Sequence, residues 1–315
     1  MIVLAAAALL IVAGLTSLAG KLIVRRLPPN QAVPLLTGLA LTVALCTGIA
    51  LSAMAVLAWA QLGPMPRLGH WSAPELREHA GFPVGVGLAA SVVVGAALLA
   101  AGWRVVRSAR ALWGAARAAR ALTPVAGDLV LIDEDVPTAY AVAGWQGRIV
   151  VSHSMLAALP AGERQVVLAH EAAHLRYRHH LYRHVAALSA AANPLLRGAE
   201  SAIALGIERW ADEAAAAEVH DRRVTARGVA RAALAQAGRP AALVGLGMAA
   251  QAGLGMADSI VAERVRALQR PAPTGRWLAP ALGVGVAAAC WLIAAAVTWR
   301  ANELIQFAES VVARH

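Results

Sequence analysis

His170-Glu171-Ala172-Ala173-His174 is the part of this chain whose residue types and spacing point most directly to chemistry. On a helix of 3.6 residues per turn, the two histidines stand one turn apart and project the same way. Two imidazoles so placed can grip one Zn²⁺, with Glu171 beside them as general base toward a water. Such a site needs a third ligand from a separate element and an open position for water. Glu208-Arg209-Trp210-Ala211-Asp212 is the best source. Glu208 can ligate the metal. Asp212, one turn later, can accept a hydrogen bond from a ligating imidazole and fix its tautomer. The competing reading is a solvated acidic face, since Glu213 and Glu218 lie close by.

These residues need two helices and a turn. Pro160 suits a first helical turn, and no further proline follows until Pro194, which predicts one long helix carrying the histidine pair. The Asn193-Pro194 break lets the chain turn back and bring Glu208 to the pair. Upstream, Arg148-Ile149-Val150-Val151-Ser152 reads as a strand. As an edge strand, Ile149, Val150 and Val151 would bind an extended peptide by strand addition; as an internal strand they would not. His153, Tyr177 and Arg209 are candidates to stabilise an oxyanion. His180 and His184 also have i, i+4 spacing, but no carboxylate lies between them. With Arg176, Arg178 and Arg183 around them, they read as a basic surface for lipid phosphates.

The rest of the chain is built for a membrane. Of 315 residues, 59% are hydrophobic and 15% charged, well below the roughly 25% charge of soluble domains. Four stretches reach the ~20 apolar residues that cross a bilayer: about 1–24, 32–62, 82–106 and 277–299. The first has its charges after the apolar run rather than before it, which suits an uncleaved span. Net charge is +10, nearly all arginine. The basic clusters follow the first and third spans and precede the fourth, so they read as cytoplasmic flanks rather than a nucleic-acid surface. Cys46 and Cys290 fall in apolar stretches and suggest no disulfide or cysteine metal site.

The fold expected is therefore a mostly α membrane protein. Residues 1–103 hold three transmembrane helices, 104–276 a cytoplasmic α+β zinc-peptidase domain, and 277–315 the fourth helix and a short external tail. Both termini are expected outside an inner (plasma) membrane. Two apolar runs inside the insert, Val185 to Ile207 and Ala241 to Ala257, read as packed or membrane-lying segments rather than spans.

The pair of motifs, with Ile149-Val150-Val151-Ser152 ahead of them, resembles the gluzincin-type integral-membrane metallopeptidases. Three spans before the histidine pair and no clean span between His174 and Glu208 resemble the BlaR/MecR type. The HtpX/Ste24 type, the related branch, carries further spans there. The resemblance implies a zinc endopeptidase with a protein or peptide substrate, such as a BlaI/MecI-type transcriptional repressor. Membrane-protein quality control is the alternative within the enzyme class, and a catalytically silent signalling protein the alternative outside it. The chain carries no S-x-x-K acylation motif, so a β-lactam sensor is not expected.

Overall fold

A computed structural model describes residues 1–63, 65–121, 123–143, 147–236, 254–275 and 278–314. The chain opens with α1 (Ile2–Arg26) and α2 (Pro29–Trp59), then short α3 (Met65–Gly69) and α4 (Ala73–His79), then α5 (Val84–Ala121). Three strands follow: β1 (Leu129–Ile132), β2 (Ala139–Val142) and β3 (Arg148–Ser152). Next come α6 (His153–Ala158), α7 (Ala161–Arg176), α8 (His179–Ala192), a 3₁₀ turn at Pro194–Leu196 and α9 (Arg197–Val219). The chain closes with α10 (Arg222–Gln236), α11 (Leu254–Leu268) and α12 (Leu278–Val312).

Helices α1, α2, α5 and α12 are long and apolar enough to cross a membrane. Two of them outrun their expected spans. α5 passes unbroken through the expected boundary at 103/104, because its Ala- and Arg-rich continuation has high helix propensity and no proline. α12 likewise runs through the expected external tail to Val312. The run from Ala241 lies outside the described residues up to position 253; its last four residues open α11. Arg276 and Trp277 also lie outside them.

The sheet order is β1-β3-β2, with β3 parallel to β1 and antiparallel to β2. Period-2 alternation sorts its side chains. Val130, Val142 and Val150 meet Ala115 of α5. Leu129, Leu131, Ile149 and Val151 face Met155, Val167 and Leu168. The sheet thus holds α7 on one face and is tethered to the third apolar helix on the other.

The stretch from His179 to Val219 is a helical hairpin inserted among the apolar helices. α8 packs on α2 and α5, and α9 on α1 and α2. At its tip, fully buried Leu196 joins the cluster containing Leu9, Ala13 and Val43. Several of the tip's polar groups are paired, though Asn193 Nδ2 is buried without a hydrogen bond. The Asn193 side chain accepts from Leu195 N–H at 3.2 Å, and Ser17 Oγ donates to the Leu195 carbonyl and accepts from Ala199 N–H. Ser17 is nine residues from the end of α1, roughly 13 Å along it.

Small residues let α9 lie this close. A Cβ on Gly198 would come within 2.9 Å of Ser17 Cβ and 3.1 Å of its carbonyl oxygen, whereas one on Gly114 of α5 meets nothing within 4 Å. Gly198→Val should therefore cost about 1–3 kcal/mol by overpacking. It should lower the thermal midpoint in detergent, with Gly114→Val as the milder control. Equal midpoints would show that the hairpin is not seated against α1.

Candidate metal centre

α7 and α9 meet over small side chains: Ala169 and Ala173 on one, Ala211, Ala215 and Ala216 on the other, all buried. This close contact brings His170, His174 and Glu208 together, with one ligand atom from each within 4.8 Å of the others. The two Nε2 atoms are 3.2 Å apart. Glu208 carboxylate oxygens stand 3.5 Å from His170 Nε2 and 3.9 Å from His174 Nε2. Asp212, one turn beyond Glu208, holds Oδ1 3.0 Å from His170 Nδ1. It occupies the position the sequence assigns to it, behind the imidazole.

α7 stops earlier than the sequence suggests. Tyr177 ends it, and Arg178 takes a left-handed conformation (φ 51°, ψ 43°) before α8 begins. The expected single helix is two, because an L-residue at positive φ cannot continue a right-handed helix.

Glu171 lies beside the cluster, with the Ala141 backbone of β2 close to its carboxylate. Burial raises its pKa, the neighbouring His170 partly opposing this. The other groups divide by charge. Burial pushes His174 down to about 3. Burial also lowers His170, but the Asp212 and Glu208 carboxylates beside it outweigh this and raise it to about 9. Burial would raise Glu208 and Asp212, yet both are held below the carboxylate range: Glu208 by the neighbouring His170, His174 and Arg264, Asp212 by Arg264.

The donor set fits a metal. Two imidazole nitrogens and a carboxylate oxygen converge, the set preferred by catalytic zinc. Glu208 Oε2 is buried without a hydrogen-bond partner, so a coordination bond would satisfy an orphaned acceptor.

Several other expectations change. β3 is the central strand, paired on both sides, with Val150 and Val151 fully buried. Its backbone is already engaged, so Ile149, Val150 and Val151 cannot take up a peptide by strand addition. The strand bordering Glu171 is β2. Arg209 is buried and donates to the Val24 carbonyl at the end of α1, away from the ligand cluster. His153 is exposed, with Nδ1 3.3 Å from the Ile132 carbonyl. Tyr177 stacks on Trp210 at 5.0 Å between ring centres.

Three residues were not visible as site residues in the sequence. Arg264 reads there as a membrane-flanking cation, but it is buried and binds Asp212 through two bonds of 2.8 and 2.7 Å. It also stands 3.5 Å from Glu208. Arg183, read as lipid-facing, lies 3.1 Å from Glu208 Oε1. His179 is 1% exposed, with Nδ1 3.0 Å from His174 Nδ1. Spacing could have suggested His179, five residues after His174; nothing local signals Arg264, 52 residues from Asp212.

A family model, Peptidase family M48, matches residues 106–271, more than half of the chain. No curated protein and no solved structure matches it.

Arg264→Met should destabilise the fold by about 3–5 kcal/mol, because it leaves buried carboxylates without their counter-ion. The exposed Arg25–Glu263 bridge on the same helix predicts only about 0–1 kcal/mol for Arg25→Met. Denaturant melts of both variants check the contrast; equal losses would remove Arg264 from its role.

Proposed function

The chain belongs to peptidase family M48, and we propose that it is a membrane-embedded, zinc-dependent endopeptidase. The convergence of His170, His174 and Glu208, with Glu171 beside them, carries this reading. Bound there, zinc would supply Lewis acidity toward water and toward a peptide carbonyl. The protein's own groups do the rest. Glu171, made more basic by burial, takes a proton from water and returns it to the leaving amine. The Ala141 backbone lies beside its carboxylate. Asp212 holds His170 through Nδ1 and keeps Nε2 turned to the ligand cluster.

β2 suits an extended substrate. Ser152 N–H donates to the Thr138 carbonyl, so positions 138, 140 and 142 bond to β3. Ala139 and Ala141 then present their backbone groups on the side where Glu171 lies. A peptide added along that edge would pass the general base.

The four apolar helices support a multi-pass inner (plasma) membrane protein. The arginine-rich flanks support a cytoplasmic peptidase domain with both termini outside. Two substrate classes fit. The order of spans supports regulatory cleavage of a cytoplasmic repressor of the BlaI/MecI type. The M48 match and the hairpin seated among the spans support quality control of membrane proteins.

In detergent, Glu171→Gln should retain zinc and lower turnover of an unfolded casein by about 10²–10⁴-fold. An active variant would remove Glu171 as base, and a zinc-free wild type would end the peptidase reading. Ala139→Pro removes one outward N–H without touching the ladder. It should raise KM more than it lowers kcat, and an unchanged KM would rule out this edge. Incubation of the purified enzyme with reconstituted membrane proteins and with a purified repressor separates the substrate readings. One cut confined to the repressor supports regulation, and broad degradation supports quality control.

A further inference from the structure

The two ligating histidines are held from behind by different partners. His170 Nδ1 faces the Asp212 carboxylate at 3.0 Å. His174 Nδ1 faces another imidazole, His179 Nδ1, also at 3.0 Å. The rings meet edge to face, 83° apart with centres 4.9 Å apart.

The position of His179 depends on the break in the chain. Five residues on in a continuous helix, its side chain would point about 140° around the axis from His174. The left-handed Arg178 turns it back instead, at the cost of a strained backbone. An aromatic box then fixes the ring: Trp210 lies 5.0 Å away, and Tyr177 stacks at 5.9 Å. Trp210 belongs to α9, two residues from Glu208, so the helix supplying the third ligand also holds this histidine.

Two ring nitrogens 3.0 Å apart share one proton: one donates and the other accepts. His174 can offer a lone pair from Nε2 only if its proton sits on Nδ1. We propose that His179 is the positioning residue for His174: its Nδ1 lone pair accepts the His174 Nδ1 proton and thereby presents the His174 Nε2 lone pair to the metal. His179 Nε2 is buried with no hydrogen-bond partner, so among the described residues the contact with His174 is the ring's one hydrogen bond. His179 is not itself a ligand, because the nitrogen nearest the cluster is turned to His174 Nδ1. The inference rests on His174 being a zinc ligand.

The test measures Zn²⁺ affinity of the full-length protein in detergent by competition with a chelator, without reference to turnover. His179→Phe keeps a ring in the box and removes the acceptor. His179→Asn places an amide oxygen near the lost Nδ1. His179→Phe should weaken Zn²⁺ binding by about 10–100-fold, and His179→Asn should recover most of it. Wild-type affinity in His179→Phe, or equal loss in both variants, overturns the proposal. Where His179→Phe fails to fold, the zinc-loaded wild type still decides. In its solid-state ¹⁵N-histidine spectrum, the signal missing from His179→Asn should be that of an imidazole protonated on Nε2. Protonation on Nδ1 overturns the proposal. A wild type that binds no Zn²⁺ refutes the peptidase reading itself, whereas a zinc-binding wild type with an indifferent His179→Phe refutes only this inference.

Discussion

The site is organised by the need to neutralise two carboxylates buried on one turn of α9. Glu208 and Asp212 are 4% and 1% exposed, and an isolated buried charge costs several kcal/mol. Arg264 answers most of that demand, but it spends its two-pronged geometry on Asp212. Its remaining contact with Glu208 is 3.5 Å, and Arg183 serves only Oε1. Glu208 Oε2 is left without a hydrogen bond, with Arg264 and His170 each 3.5 Å away. That unbonded oxygen stands at the point where the two imidazole nitrogens converge. A cation held there would give it a partner and complete the ligand set.

The same network joins the site to the apolar helices. Glu208 is followed by Arg209, which bonds the Val24 carbonyl. Arg264 is preceded by Glu263, which binds Arg25 through paired bonds of 2.7 and 3.0 Å. On both α9 and α11, one residue serves the ligand cluster and its neighbour grips the end of α1. The glycines and alanines of α9 provide the close approach this requires: Gly20 of α1 faces Ala202, and Gly206 faces Val33 and Val24. A bulkier α9 would have to leave α1, and Glu208 would move with it.

The parts legible in the sequence are those with local or periodic signatures. The histidine pair shows as i, i+4 spacing, Glu208 and Asp212 as a second such pair, and the four apolar helices as runs of length. The helix break is less legible. Tyr177-Arg178 contains neither glycine nor proline, and only the packing of Tyr177 and His179 around Trp210 accounts for Arg178's left-handed backbone. Arg264 illustrates a different limit. Charge patterning near an apolar run predicts a flank, while its real partner lies 52 residues away and is set by tertiary packing. The arginine count could not separate an arginine that meets headgroups from one that closes an ion network.

Strand order was equally beyond the sequence, and it decides which backbone serves the site. Arg148–Ser152 has the stronger β-branched signal because it is the central strand, buried on both faces and paired on both edges. Ala139–Val142 is weaker in composition, with two alanines, because an edge beside a crowded helix needs small side chains more than β propensity. The antiparallel register then assigns alternate residues of β2 to opposite sides. With Thr138 bonded to Ser152, Ala139 and Ala141 must turn outward, toward the side where Glu171 lies. A one-residue slip between β2 and β3 would turn the Ala141 N–H inward, away from Glu171. Pairing within the sheet thus decides which backbone groups border Glu171.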